Sequence, residues 1–600
     1  MGQETGLSNL GQCRYALNIY PEEEKPAMTA LMLRPLCAAL ALVLLGQTGL
    51  AMAGKTGGFS KTIPNSREQS RNFYNAVYQS SEGVAMGWTG NLAQCAPGTT
   101  TSAYLNAGLA RVNYFRAMAG LPASTTFLAD YNQKAQQAAL MMLANQALSH
   151  SPPNNWTCYT ADGATAAGLS NLSAGSAGAE SVTGYMNDAQ VPELGHRRWI
   201  MHPSTQNMGL GAVEDAAQAK YRKTSVLWVL DNHLSDPRPA VRDGFVAWPP
   251  KGYVPYPLIF KDWSFAYPDA DFSQATARLT LNGADLPVQV RTLPNGYGEN
   301  GFAFRPVTPL APSNTDQTFH VTVDKVLIDG KPQRFEYDVR GFDPAVKGAA
   351  SVRPIISGPA QPALNEASAY AFTQVPGADG YQRRYTKLAA FTATEGAETG
   401  AAAFTVDADT DAYSVVAQDV FASGKAAFHL AETDTKQQTL TWNPTFYVQN
   451  TQAVLRFSSR LGWATEQQSA MIEASLDGGK TWKNLYQQNG TGGIGETSFV
   501  PRSISLKAYA GQTVQLRFAY AITKSGTYYP QSTAGYGWYI DDIRLTQTYK
   551  SGTPAITNLG KVAAFNFKPT TRGAHLLQVR ATAFGGYPLE WGPGFVAKVP

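Results

Sequence analysis

The residues best suited to chemistry crowd into one stretch, GAESVTGYMNDAQVPELGHRRWIMHPSTQNMGLG, from Gly178 to Gly211. It holds Glu180, Asp188, His196 and His202, and His150 stands upstream in LSHSPP. Only seven histidines occur in 600 residues, so imidazole chemistry is concentrated in the N-terminal third. Histidine nitrogen and carboxylate oxygen together can make a borderline metal site or an acid/base pair. No H-x-x-x-H pair and no C-x-x-C occurs, so His150 and His196 would have to meet in space. Nucleophilic catalysis has little support: G-x-S-x-G is absent, and Ser151 beside His150 would need a second base such as His196. Read from the residues alone, each of these histidines is more often a surface or hydrogen-bonded structural residue than a ligand.

Those side chains need elements to position them. Leu105, Leu109, Val112, Phe115, Met118 and Ala119 recur at three- and four-residue steps, as do Ala135, Ala138, Ala139, Met142 and Leu143. Both stretches are expected to be amphipathic helices with a buried stripe. Thr224 to Leu230, TSVLWVL, reads as a buried strand.

From about Ser102 to Val213 the chain resembles bacterial members of the CAP superfamily, the cysteine-rich secretory, antigen-five and pathogenesis-related proteins. The match is carried by Asn113, Arg116, Gly120, Leu121 and Pro122 in LARVNYFRAMAGLP and by His150 after the second helix. It continues through Glu180 in Gly178-Ala179-Glu180-Ser181, Tyr185 and Asp188, Gly195-His196, and Met208-Gly209-Leu210-Gly211. The resemblance implies an α-β-α sandwich whose cleft is lined by two histidines and two carboxylates, here His150, Glu180, Asp188 and His196. Such a set would hold zinc or another divalent cation. Asp188 is shorter than the usual Glu. Glu193 is read as a loop acid and His202 as lying beyond the cleft.

Leu36 to Leu45 is an apolar run preceded by Arg34 and followed by Ala51-Met52-Ala53, the pattern of a secretory signal peptide cleaved after Ala53. The acidic Glu22 to Glu24 suggest that the true start is Met28 or Met32. A secreted or periplasmic protein is expected, with no transmembrane segment, since no later run approaches the roughly eighteen apolar residues that one needs. Cleavage would remove Cys13 and Cys37 and leave Cys95 and Cys158 in an oxidising compartment. A disulfide between them would contribute about 4 kcal/mol in the chain-entropy model. Two unpaired buried cysteines are the alternative.

A formal net charge of +4 over this length, without basic runs, argues against nucleic acid and membrane-surface partners. The 55 glycines and 36 prolines fit a loop-rich, β-dominated protein of several domains. The expected fold class is multidomain α+β, an N-terminal α-β-α sandwich followed by all-β sandwiches that include a jelly roll. Residues 1–53 form the leader, 54–100 an N-terminal arm and 101–240 the CAP-like domain. Residues 241–346 alternate, with Asn-Gly and Asp-Gly at the reversals, as an immunoglobulin-like sandwich. Residues 361–440 resemble the first half of a fibronectin type III module, and 551–600 its closing strands. Residues 441–550 resemble a jelly roll inserted between the two. In that jelly roll Asp541 and Asp542 are candidate calcium ligands, and Tyr528, Tyr529, Tyr536 and Trp538 a candidate sugar-stacking platform.

Two functions follow as expectations. The first is a secreted binding or effector protein whose cleft holds a metal or small apolar ligand and whose β modules attach it to extracellular glycan or protein. The second is a metal-dependent hydrolase using His150 and His196, with Glu180 as base.

Overall fold

The computed structural model describes residues 58–59, 66–347, 353–391, 394–531 and 535–600. The signal-peptide reading, the cleavage site, the alternative starts, Cys13 and Cys37 lie outside the described residues. Six α-helices are described, all before Met201: α1 (Arg67–Phe73), α2 (Ser102–Met118), α3 (Ala129–Asn145), α4 (Ala161–Gly168), α5 (Ala179–Asn187) and α6 (Gly195–Ile200). The strands β1 (Thr126–Phe127), β2 (Ser170–Ala174), β3 (Asn207–Glu214) and β4 (Lys223–Trp228) form a sheet in the order β1-β3-β4-β2. β1 lies parallel to β3, and the other pairs are antiparallel.

Close packing explains the Met-Gly-Leu-Gly strand. A Cβ on Gly211 would lie 2.2 Å from the carbonyl carbon of Ala135 and from the nitrogen of Gln136, and one on Gly209 2.4 Å from Tyr131 Cβ. α3 therefore rests directly on bare strand backbone. Leu210 points to the opposite face, where its Cδ2 would sit 2.5 Å from a Cβ on Gly108 of α2. The two periodic helices thus cover the two faces of the sheet, and the sandwich is α-β-α.

α2 begins where Thr101 Oγ1 accepts the Tyr104 N–H at 3.2 Å, satisfying a donor of the first turn. Further along, Arg116 is fully buried and donates to the carbonyls of Pro122, Ile200, His202, Pro203 and Thr205. Burial pushes its guanidinium down to about 9. Asn113 brackets Thr125, donating to its carbonyl and accepting its N–H. This pair fixes the turns that follow α2 and α6. Cys95 and Cys158 are joined by a disulfide with S–S 2.00 Å.

The next strands are β5 (Val246–Trp248), β6 (Gly252–Pro255), β7 (Trp263–Ala266), β8 (Thr276–Leu281), β9 (Ala284–Leu286), β10 (Val288–Thr292), β11 (Gly301–Pro306), β12 (Gln317–Ile328) and β13 (Lys331–Phe342). They build two sheets, β10-β11-β7-β5 and β6-β13-β12-β8-β9. Phe115 of α2 meets Trp248 of β5 edge-on at 5.1 Å, so the core runs unbroken from the helical layer into this sandwich.

Strand pairing ties the remaining β region together over long sequence distances. Ser368–Phe372 pairs with Ala564–Phe567, and Gly380–Ala390 pairs with Gly573–Ala583. A second core between them gathers Phe404, Trp442, Phe518 and Trp538. The end of Gly380–Ala390 also pairs with Thr548–Ser551, which extends one sheet across both parts.

α1 is the joint. Phe73 is fully buried, stacks on Tyr114 at 4.7 Å and meets Phe584 at 4.9 Å. Arg71 donates to the Pro344 carbonyl and pairs with Glu590 at 2.8 Å. The segment expected as an arm is packed against three parts of the chain at once, and the described residues belong to one compact unit.

Candidate functional site

Asp188 closes α5 in the left-handed conformation, φ 51°, where Asp is better tolerated than most residues. Its carboxylate, 1% exposed, accepts from His196 Nδ1 at 2.8 Å and from the Arg197 N–H at 3.2 Å. A carboxylate there makes Nδ1 the donor and leaves Nε2 as the basic nitrogen. The His196 ring is 24% exposed and lies 5.2 Å from Tyr185. Its carbonyl accepts from Asn171 Nδ2, and the Tyr185 hydroxyl donates to the Asn171 carbonyl. This is a held acid/imidazole dyad at the end of α5 and the start of α6.

His150 is exposed and places Nδ1 2.8 Å from the Ala167 carbonyl, the same tautomer. Glu180 is exposed in the first turn of α5 and pairs with Lys223 at 2.9 Å. Among the described residues no three His, Cys, Asp or Glu come together in a metal-holding group. The four residues of the expected set are thus not gathered into one group among the described residues. Asp188 accepts from His196 Nδ1 and leaves Nε2 free, an arrangement also found behind metal-ligating histidines, while Glu180 pairs with Lys223. Glu193 also stands outside any such group, and His202 is largely buried after α6, its carbonyl held by Arg116.

Glu180 instead rims a groove of about 610 Å³ with Tyr78, Glu82, Tyr104, Glu214 and Lys223. Its wall is Arg111, 2% exposed, lying 3.5 Å over the Tyr78 ring. Arg111 donates to Ser81 Oγ, Thr183 Oγ1 and the carbonyls of Tyr78 and Ala179, and Glu82 stands 3.7 Å away. Sequence reading passed over Arg111. The available signal was a basic residue within the buried stripe of α2.

The jelly-roll readings divide. Trp538 is fully buried and donates to Ser459 Oγ, so it belongs to the core and cannot stack on a sugar. Tyr529 and Tyr536 are exposed, 59% and 38%. Between them lies Trp463, unremarked in the sequence, with ring centres 5.7 Å from Tyr529 and 5.5 Å from Tyr536. Exposed Ile494 belongs to the adjoining turn, where Ala464 pairs with Gly493. Tyr528 is half-buried beside Tyr529 in the chain. Gln531 pins this loop, donating through Nε2 to the Trp463 carbonyl and to Gln468 Oε1. Below it Glu432 is fully buried, and burial pushes its carboxyl up to about 7.

Asp541 and Asp542 have their oxygens engaged. Asp541 Oδ2 accepts the N–H groups of Ala422 and Ser423, while Asp542 accepts from Ser423 Oγ and Ser458 Oγ. They pin the 422–423 turn, and among the described residues they join no metal-holding group.

Residues 109–231 match the family model for the cysteine-rich secretory protein family, CAP. The chain thus carries a CAP domain followed by β-sandwiches. No curated protein matches it. Among solved structures, carbohydrate-binding modules of the β-sandwich superfamily are 9% identical, covering 48% of this chain and 91% of that chain at TM-score 0.16. SGBP-B from a complex xyloglucan utilization locus in Bacteroides uniformis is 10% identical, covering 47% and 94% at TM-score 0.15. At these scores neither overlap bears on function.

Proposed function

We propose that this chain, with its CAP domain at residues 109–231, is a secreted binding protein that attaches to extracellular glycan through its jelly-roll region. The observation that carries the reading is the group Trp463, Tyr529 and Tyr536. The planes of Trp463 and Tyr529 meet at 60° and those of Trp463 and Tyr536 at 68°, and the two tyrosines are open to solvent. The rings thus make an angled apolar surface bordered by hydroxyls, on which a single ring face suits the C–H face of a sugar ring. Gln531 and Gln468 hold the loop from beneath, so little ordering is left to binding.

In this reading the CAP domain is the effector end, and its groove takes a small ligand. Lys223 offsets Glu180 and Arg111 stands beside Glu82, so the rim charges are largely compensated and the groove suits a small, mainly apolar ligand.

The test is affinity electrophoresis of the full chain through gels containing neutral polysaccharides, among them xyloglucan and mixed-linkage β-glucan. Retardation is expected with at least one of them, and Trp463→Ala should weaken it roughly tenfold, about 1.4 kcal/mol. Unretarded wild-type protein across the panel, or unchanged retardation of the folded variant, would remove the reading.

A further inference from the structure

The paired strands Gly380–Ala390 and Gly573–Ala583 carry a second feature, remote in sequence from the aromatic group. Their register sets Gln382 opposite Arg580 and Arg384 opposite Gln578. Both guanidinium groups lie against one indole, 4.5 Å (Arg384) and 4.4 Å (Arg580) from the Trp591 ring centre. Their hydrogen-bond acceptors are neutral amides. Arg384 donates through Nε and Nη2 to Gln578 Oε1, and Arg580 through Nε to Gln382 Oε1. Among the described residues neither arginine has a carboxylate within ion-pair distance.

Two acids of the flanking segments, Glu590 and Asp379, have partners of their own. Glu590, next to Trp591 in the chain, is held by Arg71 at 2.8 Å and Lys347 at 3.6 Å, with Arg353 adding further positive charge. Asp379 accepts the N–H groups of Gly585 and Gly586. A shallow depression of about 550 Å³ opens at the Gly380 end of the strand pair, lined by Asp379, Gly380, Asn558, Lys561 and Thr582, and Thr582 stands two residues beyond Arg580 on the same strand. Asn558 accepts from Gln382 through Oδ1, so what it offers a ligand is its Nδ2 donors.

Two half-buried like charges side by side repel each other and lose hydration without a counter-charge to compensate. Burial pushes both guanidiniums down to about 10, and the charge of Arg580 adds to the effect on Arg384. An oxyanion answers this arrangement, because a guanidinium's planar fork matches carboxylate or sulfate with paired hydrogen bonds. The depression is open and edged by hydroxyl and amide donors, which suits an extended chain crossing the sheet.

We propose that Arg384 and Arg580, stacked on Trp591, form a binding site for the carboxylate or sulfate groups of an acidic polysaccharide. The site stands apart from the jelly-roll aromatic group and does not depend on it.

Calorimetric titration of the full chain with polygalacturonate, dextran sulfate and neutral dextran, in low and physiological salt, tests this. Binding of an acidic polymer, absent with dextran and weakened by salt, is expected. Preference between the two polymers names the oxyanion. Arg384→Gln/Arg580→Gln should lose at least tenfold in affinity, and Arg384→Lys/Arg580→Lys should fall between, since charge remains without the fork. Thermal melts check folding, and Arg580→Gln alone serves if the double variant unfolds. Trp463→Ala should leave this binding intact, which separates it from the aromatic-group reading. The proposal is overturned if the wild type binds neither acidic polymer, or if folded Gln variants bind as the wild type does. Polyglutamate binding as tightly as polygalacturonate would likewise overturn it, in favour of an acidic peptide.

Discussion

Glu432 shows how one residue's burial becomes a property of a whole region. Its Oε2 accepts from Gln468 Nε2, and the Ile522 backbone also favours the charged form, but burial outweighs both. With its carboxyl pushed up to about 7 from an ordinary 4.5, the folded state holds a proton that the unfolded chain has already released. The stability from this group is full below pH 4.5 and is lost as pH rises through 7. The full effect is about 3 kcal/mol. Urea unfolding of the jelly roll should therefore show lower stability at pH 8 than at pH 5, and Glu432→Gln should flatten that difference. An unaltered pH profile in the variant would refute the assignment. His202 has the opposite sign. Burial, with Arg116 and Arg238 nearby, pushes it down to about 4. Its contribution is complete above pH 6.5 and is lost as pH falls through 4, so the CAP domain should weaken in acid where the jelly roll gains.

At the scale of elements, the helix-to-sheet contacts were largely legible. The apolar spacing in α2 and α3 follows from helix geometry, and the small alanines of α3 are what let it approach Met-Gly-Leu-Gly so closely. The structure adds the distance that makes glycine obligatory. Gly211→Ala must push α3 off the sheet, because the new methyl meets backbone rather than a movable side chain. A loss of about 1–3 kcal/mol is expected, read as a lower melting temperature. The disulfide bears on the same layer, and Cys95→Ser/Cys158→Ser should cost up to about 4 kcal/mol in chemical denaturation. A variant as stable as the wild type would show that packing alone holds the 95–158 segment. The candidate site was less legible at this scale. Asp188 and His196 come from different helices, and the left-handed turn at Asp188 that brings them together depends on how α5 ends against its neighbours.

Across the whole molecule, the cores interlock. Gly380–Ala390 pairs with Gly573–Ala583, and α1 joins the CAP layer to the C-terminal strands through Phe73–Phe584 and Arg71–Glu590. Deleting residues 552–600 should expose Tyr381, Tyr370 and the long strand's edge, and should collapse the module that begins near residue 361. Differential scanning calorimetry of the truncated chain decides this. A cooperative melt like that of the full chain would mean that the paired strands contribute little.

The sequence by itself determined the two amphipathic helices, the strand at 224–230 and the alternating β region, and named Cys95 and Cys158 as the natural pair. These follow from periodicity and residue type, which act over short stretches, whereas the α-β-α layer and the acid/imidazole residues came from the resemblance to the CAP family. Only the tertiary structure decided which members of those groups do meet. Trp463 and Trp538 are alike in type, yet one is half-buried between Tyr529 and Tyr536 and the other fills the core. Glu180 and Asp188 are both acids of α5, yet one pairs with Lys223 and the other with His196. Arg384 and Arg580 meet on Trp591 only because strands far apart in sequence are paired. Exposure and contact are set by what packs on the opposite side of each element, which no local pattern specifies.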